Sequence, residues 1–457
     1  MFAMDVVAAL RELVSDPERV TDDETVTDGH GSDISPHAPR PPDAVVFPDS
    51  SAEIVEILRW ANAERVPVIA YGSGTSVEGQ VIPVRGGISL DLSRLNEILA
   101  VQPDDLLARV EAGVKRLQLE ARLGEDGLFF PVDPGADASI GGMVATNASG
   151  TNAVRYGTMR HNTLGLEVVL ADGRVMRTGG PAPKSSAGYD LTRLFVGSEG
   201  TLGVITEVLL RVHLVPEFVV AGRAVFPDLD AAARAAMSLI QTGTAVARVE
   251  LVDELTVKAV NAYEGTAYAE GPTLFLEFSG SEPSVRHEVE HAEAIARKES
   301  CIAFEVGSDE AERARLWDAR HNAALAVMAT APGKKLMSTD VCVPVSALVE
   351  AVHHARRVAE DAGVPAAILG HVGDGNYHTI FMVDSGDEAE LARAARINAE
   401  IVRFALERGG TCTGEHGIGL GKLDYLREEH GPAVELMRAI KRTLDPNGIL
   451  NPGKVIA

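Results

Sequence analysis

Three glycine-rich segments between residues 71 and 205 constrain the fold more than any other feature of this chain. The first, Tyr71-Gly72-Ser73-Gly74-Thr75-Ser76-Val77-Glu78-Gly79-Gln80, follows a short apolar run. Bare N–H groups in such a turn form a concave anion site, and Ser or Thr hydroxyls add donors. A diphosphate suits it; a tight turn is the plain alternative. It is not the dinucleotide fingerprint, because the third glycine of GxGxxG would fall at Val77, and no lysine follows to make a Walker A loop. The second segment, residues 133–150, is nearly all small side chains, which let backbone lie against a flat, extended ligand. It reads equally as a close-packed helix start capped by Ser139. The third, residues 197–205, repeats the theme before a strand. One such loop is ordinary; three in one domain suggest a large, phosphate-bearing cofactor.

A length of 457 residues suggests two or three domains. The net charge of −24 argues against nucleic acid and gives no help at anionic membranes. Cys301, Cys342 and Cys412 are too few for a disulfide framework, which fits a reducing compartment. Cys342 and Cys412 read as buried small residues rather than redox thiols. Residues 1–20 read as an amphipathic helix, not a signal peptide, and no run approaches the ~20 apolar residues of a membrane span. The expectation is a soluble, cytoplasmic protein. No repeat of 20–50 residues is visible.

Residues 28–43 read as a loop. A helix follows, capped by Ser50 or Ser51 and apolar at Ile54, Ile57, Leu58 and Ala61. Short β runs at 66–71, 88–92, 107–113, 165–171 and 203–212 alternate with glycine turns. Beyond about 217 the texture changes to strands at 219–226, 248–253 and 273–280 with helices at 230–242, 284–300, 312–329 and 387–410. That alternation indicates an α+β layer structure with a boundary near 215.

Residues 366–383 read as a hairpin around the two-residue turn Asp374-Gly375. Counting outward pairs His371 with His378 across it, with Cβ atoms roughly 4.5–5.5 Å apart. Two such imidazoles suit one divalent metal, although chance pairing gives the same pattern. Glu415-His416, between glycines, is the candidate for a further ligand, or else a turn with a solvated acid.

These segments, in this order and spacing, together with GHVGDGNYH (370–378), GTCTGEHGIG (410–419) and DPNGILNPGK (445–454), resemble the vanillyl-alcohol-oxidase-like flavoproteins. Within them the match is to the group of the D-lactate dehydrogenases (cytochrome) and the flavin-bearing chains of glycolate oxidase, from about residue 40 to the C-terminus. The resemblance implies an α+β fold. A two-subdomain p-cresol-methylhydroxylase-type (PCMH-type) FAD-binding domain would span 1–215. A ferredoxin-like substrate or cap domain carrying the metal site would span 216–440, and a tail, 441–457, would return to the FAD.

Gly72, Ser73, Gly74, Thr75, Ser76 and Gly79 would hold the pyrophosphate. Pro134, Gly135, Ser139, Gly141, Gly142, Asn147 and Gly150, with Arg155 and Gly157, would line the flavin. Glu199, Gly200, Val204 and Ile205 would cover the adenine side, and Asn451 would sit near the isoalloxazine. No histidine lies in 71–80, so the FAD would be non-covalent. By the same resemblance His371, His378 and Glu415 match the metal ligands (zinc or manganese), His416 the general base, and Arg320 the carboxylate-binding arginine. By pattern alone Arg320 is one more charge on a solvated helix face.

The implied chemistry is oxidation of a D-2-hydroxy acid, D-lactate first. A Lewis acid lowers the hydroxyl pKa, a histidine takes the proton, and hydride passes to flavin N5. Relatives that use 2-hydroxyglutarate place a lysine where Ser338 stands, so a monocarboxylate is favoured unless Lys334 or Lys335 compensates. No haem, iron–sulfur or nicotinamide motif exists in the chain, so electrons must leave to a cytochrome, a quinone or an electron-transfer flavoprotein. A homodimer, and an inner-membrane-peripheral location through the acceptor, complete the expectation. The rivals are the catalytic part of a glycolate-oxidising complex, a 2-hydroxyglutarate dehydrogenase and, in another class, a metal-dependent hydrolase.

Overall fold

The computed structural model describes residues 5–307 and 309–456. By contact the chain divides into two compact units. One comprises Met1–Ser149, Gly157–Val215 and Glu415–Ala457, the other Gly150–Tyr156 and Pro216–Gly414. The chain thus rejoins the first unit at Glu415, before the residue-441 start expected for the tail.

In the first unit the helix Ser51–Glu64 forms where expected. The Ser50 side chain accepts the Glu53 N–H, and Ile54, Ile57, Leu58 and Ala61 are fully buried beneath it. It covers a sheet ordered Val20–Thr21, Ala44–Val46, Ile88–Asp91, Val68–Tyr71, in which the last three strands are parallel. The tail adds to the edge of this sheet: the Val68 N–H donates to the Ile449 carbonyl and the Asn451 N–H to the Val68 carbonyl. A second, antiparallel sheet runs Ile98–Gln102, Leu107–Glu111, Val204–Arg211, Thr163–Val169, Val175–Gly179. The N-terminal helix is shorter than read, Val6–Arg11, because Pro17 opens a separate 3-10 turn and the Ser15 N–H is taken by Glu53.

The second unit holds an eight-stranded sheet. Its first four strands by sequence are Phe218–Val225, Val246–Val252, Thr273–Gly280 and Ala303–Gly307, set in the spatial order fourth, first, third, second, all antiparallel. With the helices Leu229–Gln241 and Glu282–Lys298 this is the ferredoxin-like arrangement. Lys335–Ser338, helix Leu348–Asp361, Ala366–Gly370, Asn376–Val383 and helix Glu388–Glu407 then repeat the order strand, helix, strand, strand, helix. The halves join where Val246–Val252 pairs with Ala366–Gly370. This duplication of architecture has no counterpart as a sequence repeat. The helix read over 312–329 breaks at Asn322 into Glu310–His321 and Ala323–Ala329, where the Asn322 amide donates to Glu264. No helix among the described residues is long and apolar enough to cross a membrane.

Candidate functional site

The first unit contains a cavity of about 220 Å³, lined by residues 70–77 with Ser139, Gly141, Gly142, Glu199, Gly200, Ile205 and Asn451, and by Glu415 and His416. Strand Val68–Tyr71 delivers the chain to Gly72, where a Cβ would lie 2.2 Å from Ser139 Oγ. A Cβ on Gly141 would lie 2.6 Å from that of Ala112. Ser139 does cap the helix Ile140–Thr146, its Oγ accepting the Gly142 N–H, and the same segment lines the cavity. The N–H groups of Gly72 to Val77 find no acceptor among the described residues, although the loop is braced from behind. Asp33, in the loop expected at 28–43, accepts the Ser76 hydroxyl at 2.9 Å and the Gly79 N–H at 2.8 Å. A run of open backbone donors beside a wall of small residues fits the diphosphate and flat rings of FAD.

Glu415 and His416 begin a loop that the first unit holds tightly. Gln80 Nε2 donates to the His416 carbonyl at 2.7 Å. The Glu199 carboxylate accepts the N–H of Ile418 at 2.7 Å and of Gly419 at 2.9 Å. Glu199 therefore does more than cover one side of the cavity: it anchors the loop that bears His416. Burial pushes its carboxyl up to about 7, against the pull of those two N–H donors. Burial likewise pushes the Lys454 ammonium down to about 8. Lys454 donates to the carbonyls of Gln80 and Ile82 and to Asn451 Oδ1, while the Asn451 amide donates to the carbonyls of Gln80 and Glu199. Gln80 and Lys454 were not singled out in the sequence, since nothing in their spacing marks them.

Several expected cofactor residues do not line the cavity, and each has another task. The Gly79 N–H is spent on Asp33, and that of Gly135 on Asp133. Asn147, left-handed at φ 54°, caps the helix Ile140–Thr146, and its Oδ1 accepts the Thr158 hydroxyl and the Arg160 N–H. Gly157 lies against His161, and Val204 is buried in the core. Gly150 and Arg155 belong to the second unit, where Arg155 donates to the Ser279 carbonyl at 2.8 Å.

In the second unit the hairpin register differs from the outward count. His378 stands opposite Leu369, and Ala366–Gly370 and Asn376–Val383 are joined by residues 371–375. Both favoured two-residue turns need φ > 0 at their first residue, here Asp374, and only Gly375 has it. Instead the Asn376 N–H donates to the His371 carbonyl, and the Gly373 N–H to that of Val249. The two histidines still meet, edge to face, with ring centroids 5.8 Å apart.

What organises them is a residue the sequence did not reveal. Glu250, on Val246–Val252 and fully buried, accepts His371 Nδ1 at 2.8 Å and lies 2.6 Å from Arg320 Nη2. Burial alone would raise this carboxyl, but the charges of His371 and Arg320 and their hydrogen bonds hold it below its ordinary range. His378 donates from Nδ1 to the Thr339 carbonyl at 3.2 Å. Beside it, buried Asp340 accepts the Asn376 amide and the Thr413 hydroxyl. Both rings donate from Nδ1, so in their neutral forms Nε2 carries the lone pair, the arrangement of histidines that ligate a divalent metal.

Residues 42–179 match the family described as FAD binding domain, and residues 215–455 that described as FAD linked oxidases, C-terminal domain. The chain is 46% identical to a probable D-lactate dehydrogenase, mitochondrial, from Danio rerio, over 98% of this chain and 92% of that one. It is 38% identical to D-lactate dehydrogenase [cytochrome] 1, mitochondrial, from Saccharomyces cerevisiae, over 98% and 79%. It is 36% identical to a glycolate oxidase subunit from Bacillus subtilis, over 97% and 95%. In fold it superposes on p-cresol methylhydroxylase with a TM-score of 0.81 at 19% identity, covering 98% of this chain and 96% of that one. The chain belongs to the FAD-linked oxidases with PCMH-type architecture, in the group that holds the cytochrome D-lactate dehydrogenases and their glycolate oxidase relatives.

Proposed function

We propose that this chain is an FAD-dependent dehydrogenase of small D-2-hydroxy acids, D-lactate first, which it converts to the 2-oxo acid. The observation that carries the reading is Arg320. It is 7% exposed, its Nη2 is engaged by Glu250, and its buried Nε finds no acceptor among the described residues. A buried donor left unmet costs about 1–3 kcal/mol, and a substrate carboxylate would meet it. The relatives named D-lactate dehydrogenase supply the substrate class.

The residues take these parts. Arg320 anchors the carboxylate, and Glu250 fixes the guanidinium and the His371 ring together. His416 takes the hydroxyl proton at its ring nitrogen. His371 and His378, with Glu415 as third ligand on sequence grounds, would hold zinc or manganese, which supplies a Lewis acid for the substrate oxygens. Bound FAD supplies the acceptor for two electrons, held non-covalently by Gly72–Ser76 and the glycine wall at Gly141 and Gly142. A dicarboxylate is disfavoured at Ser338, which donates to the Thr339 carbonyl; Lys334 is paired with Glu390 at 2.5 Å, which leaves Lys335 as the cation that could compensate.

Reoxidation by an external cytochrome, quinone or electron-transfer flavoprotein, assembly as a homodimer, and a cytoplasmic or inner-membrane-peripheral location belong to the same proposal. Fractionation tests the last against the relatives named mitochondrial. The decisive experiment is anaerobic visible absorbance of the purified protein with D-lactate, L-lactate, glycolate and D-2-hydroxyglutarate in turn. Bleaching of the flavin band is expected with D-lactate first. A band bleached best by glycolate would transfer the chain to the reading its Bacillus relative favours. A band that none of them bleaches would discard the substrate class.

A further inference from the structure

We infer that Lys115 is the cation that sets the affinity of this chain for the diphosphate of its cofactor. The inference rests on FAD occupying the cavity of the first unit. The open N–H groups of its glycine loop suit an anion, yet the cavity's lining contains no lysine or arginine, and Glu199 and Glu415 lie in it. Backbone N–H groups bring only partial charges to a guest that carries two full negative ones. A full positive charge close by would favour that guest over any neutral flavin.

Lys115 stands where such a charge is needed. Its Nζ lies 2.5 Å from Ser73 Oγ, inside the loop of open donors. Ser73 Oγ also accepts the Ser139 N–H at 2.8 Å. With two hydrogen bonds arriving at this oxygen, the hydroxyl proton is turned outward as a further donor, polarised by the ammonium. The backbone fixes the lysine in place. Lys115 and Ser139 form a β-bridge, the Arg116 N–H donates to the Ala138 carbonyl, and Lys115 is the N-cap of the helix Arg116–Gly124. Half-buried, and in no ion pair among the described residues, Lys115 keeps its charge uncompensated by carboxylates. The other ammonium bound to this loop, that of Lys454 on the Gln80 carbonyl, is deep in the network around Glu199. Lys115 is a positioning and charge-balancing residue, not a catalytic one.

The test uses the full-length chain stripped of flavin and titrated with FAD and with riboflavin, which has no phosphate, over a series of salt concentrations. Lys115→Gln should weaken FAD about tenfold, the scale of one charge-assisted contact, leave riboflavin within a factor of two, and flatten the salt dependence of FAD binding. Lys115→Arg should restore most of the loss. The riboflavin titration also reports whether the variant is folded. Equal weakening of both flavins by Lys115→Gln, or no change in either, would overturn the inference. Failure of the parent chain to bind FAD would overturn the cofactor reading with it.

Discussion

Glu250 has no exposed side-chain surface and touches two groups of the proposed site at once. A buried carboxylate persists only when paired, and here the pairing does mechanical work. It sets the tautomer and tilt of His371 and the plane of the Arg320 guanidinium. Glu250→Gln keeps the shape but removes the charge. It should lower zinc or manganese affinity ten- to a hundredfold, measured by competition with a chelator. It should also raise the substrate concentration needed for half-maximal flavin reduction, because Arg320 would lose its orienting partner. The flavin content of the purified variant should not change, since Glu250 lies in the second unit. Undiminished metal binding in Glu250→Gln would remove it from the metal's support. Arg320→Lys should show the substrate effect without the metal effect.

At the scale of elements, the turn from strand Val68–Tyr71 and the helix Ile140–Thr146 wall the cavity of the first unit by excluding side chains. Gly141 is the sharpest case, because a methyl group there meets Ala112 Cβ at 2.6 Å and the Ala112 carbonyl oxygen at 2.9 Å. Gly141→Ala should destabilise the chain by about 1–3 kcal/mol, the usual cost of overpacking, and weaken FAD. Ala112→Gly in the same chain should recover part of both losses, because one of the two contacts then disappears. Unchanged melting and flavin content in Gly141→Ala would mean the wall yields.

These walls were legible in the sequence because glycine and serine runs report directly on backbone. So was the helix Ser51–Glu64, through its cap and its apolar spacing. The hairpin register was not, because the connection 371–375 is fixed by hydrogen bonds to Val249 and Val343, which are remote in sequence. Glu250 was hidden for a related reason: an acid on a strand normally faces water, and only the tertiary partners reveal that this one does not. The doubled architecture of the second unit escaped because each half keeps the order of elements and not the residues.

At the scale of the whole molecule, one buried network ties the loop of residues 72–80, Glu199, the loop bearing His416 and the returning tail into the first unit, and its charge varies with pH. The Glu199 carboxyl titrates at about 7 in the folded chain against an ordinary 4.5. Between those values the folded chain holds a proton that the unfolded chain has lost. The stabilisation linked to this group is therefore complete below about pH 4.5 and is lost as pH rises through 7, a swing of at most about 3 kcal/mol. Lys454 behaves in the opposite sense. Its pKa is depressed from 10.5 to about 8, so its contribution is present above 10.5 and lost as pH falls through 8. Around pH 7–8 both buried groups are charged, and their mutual attraction offsets part of the burial cost of each. Glu199→Gln removes the first of these dependences and leaves the second. The melting temperature of the flavin-free variant, taken relative to the parent, should rise by a few degrees between pH 5 and pH 8. A difference that stays constant over that range would place the titrating proton elsewhere. A difference that moves as expected would show that the residue anchoring the His416 loop carries a charge cost at working pH, and that the parent retains this cost to hold the loop through Ile418 and Gly419.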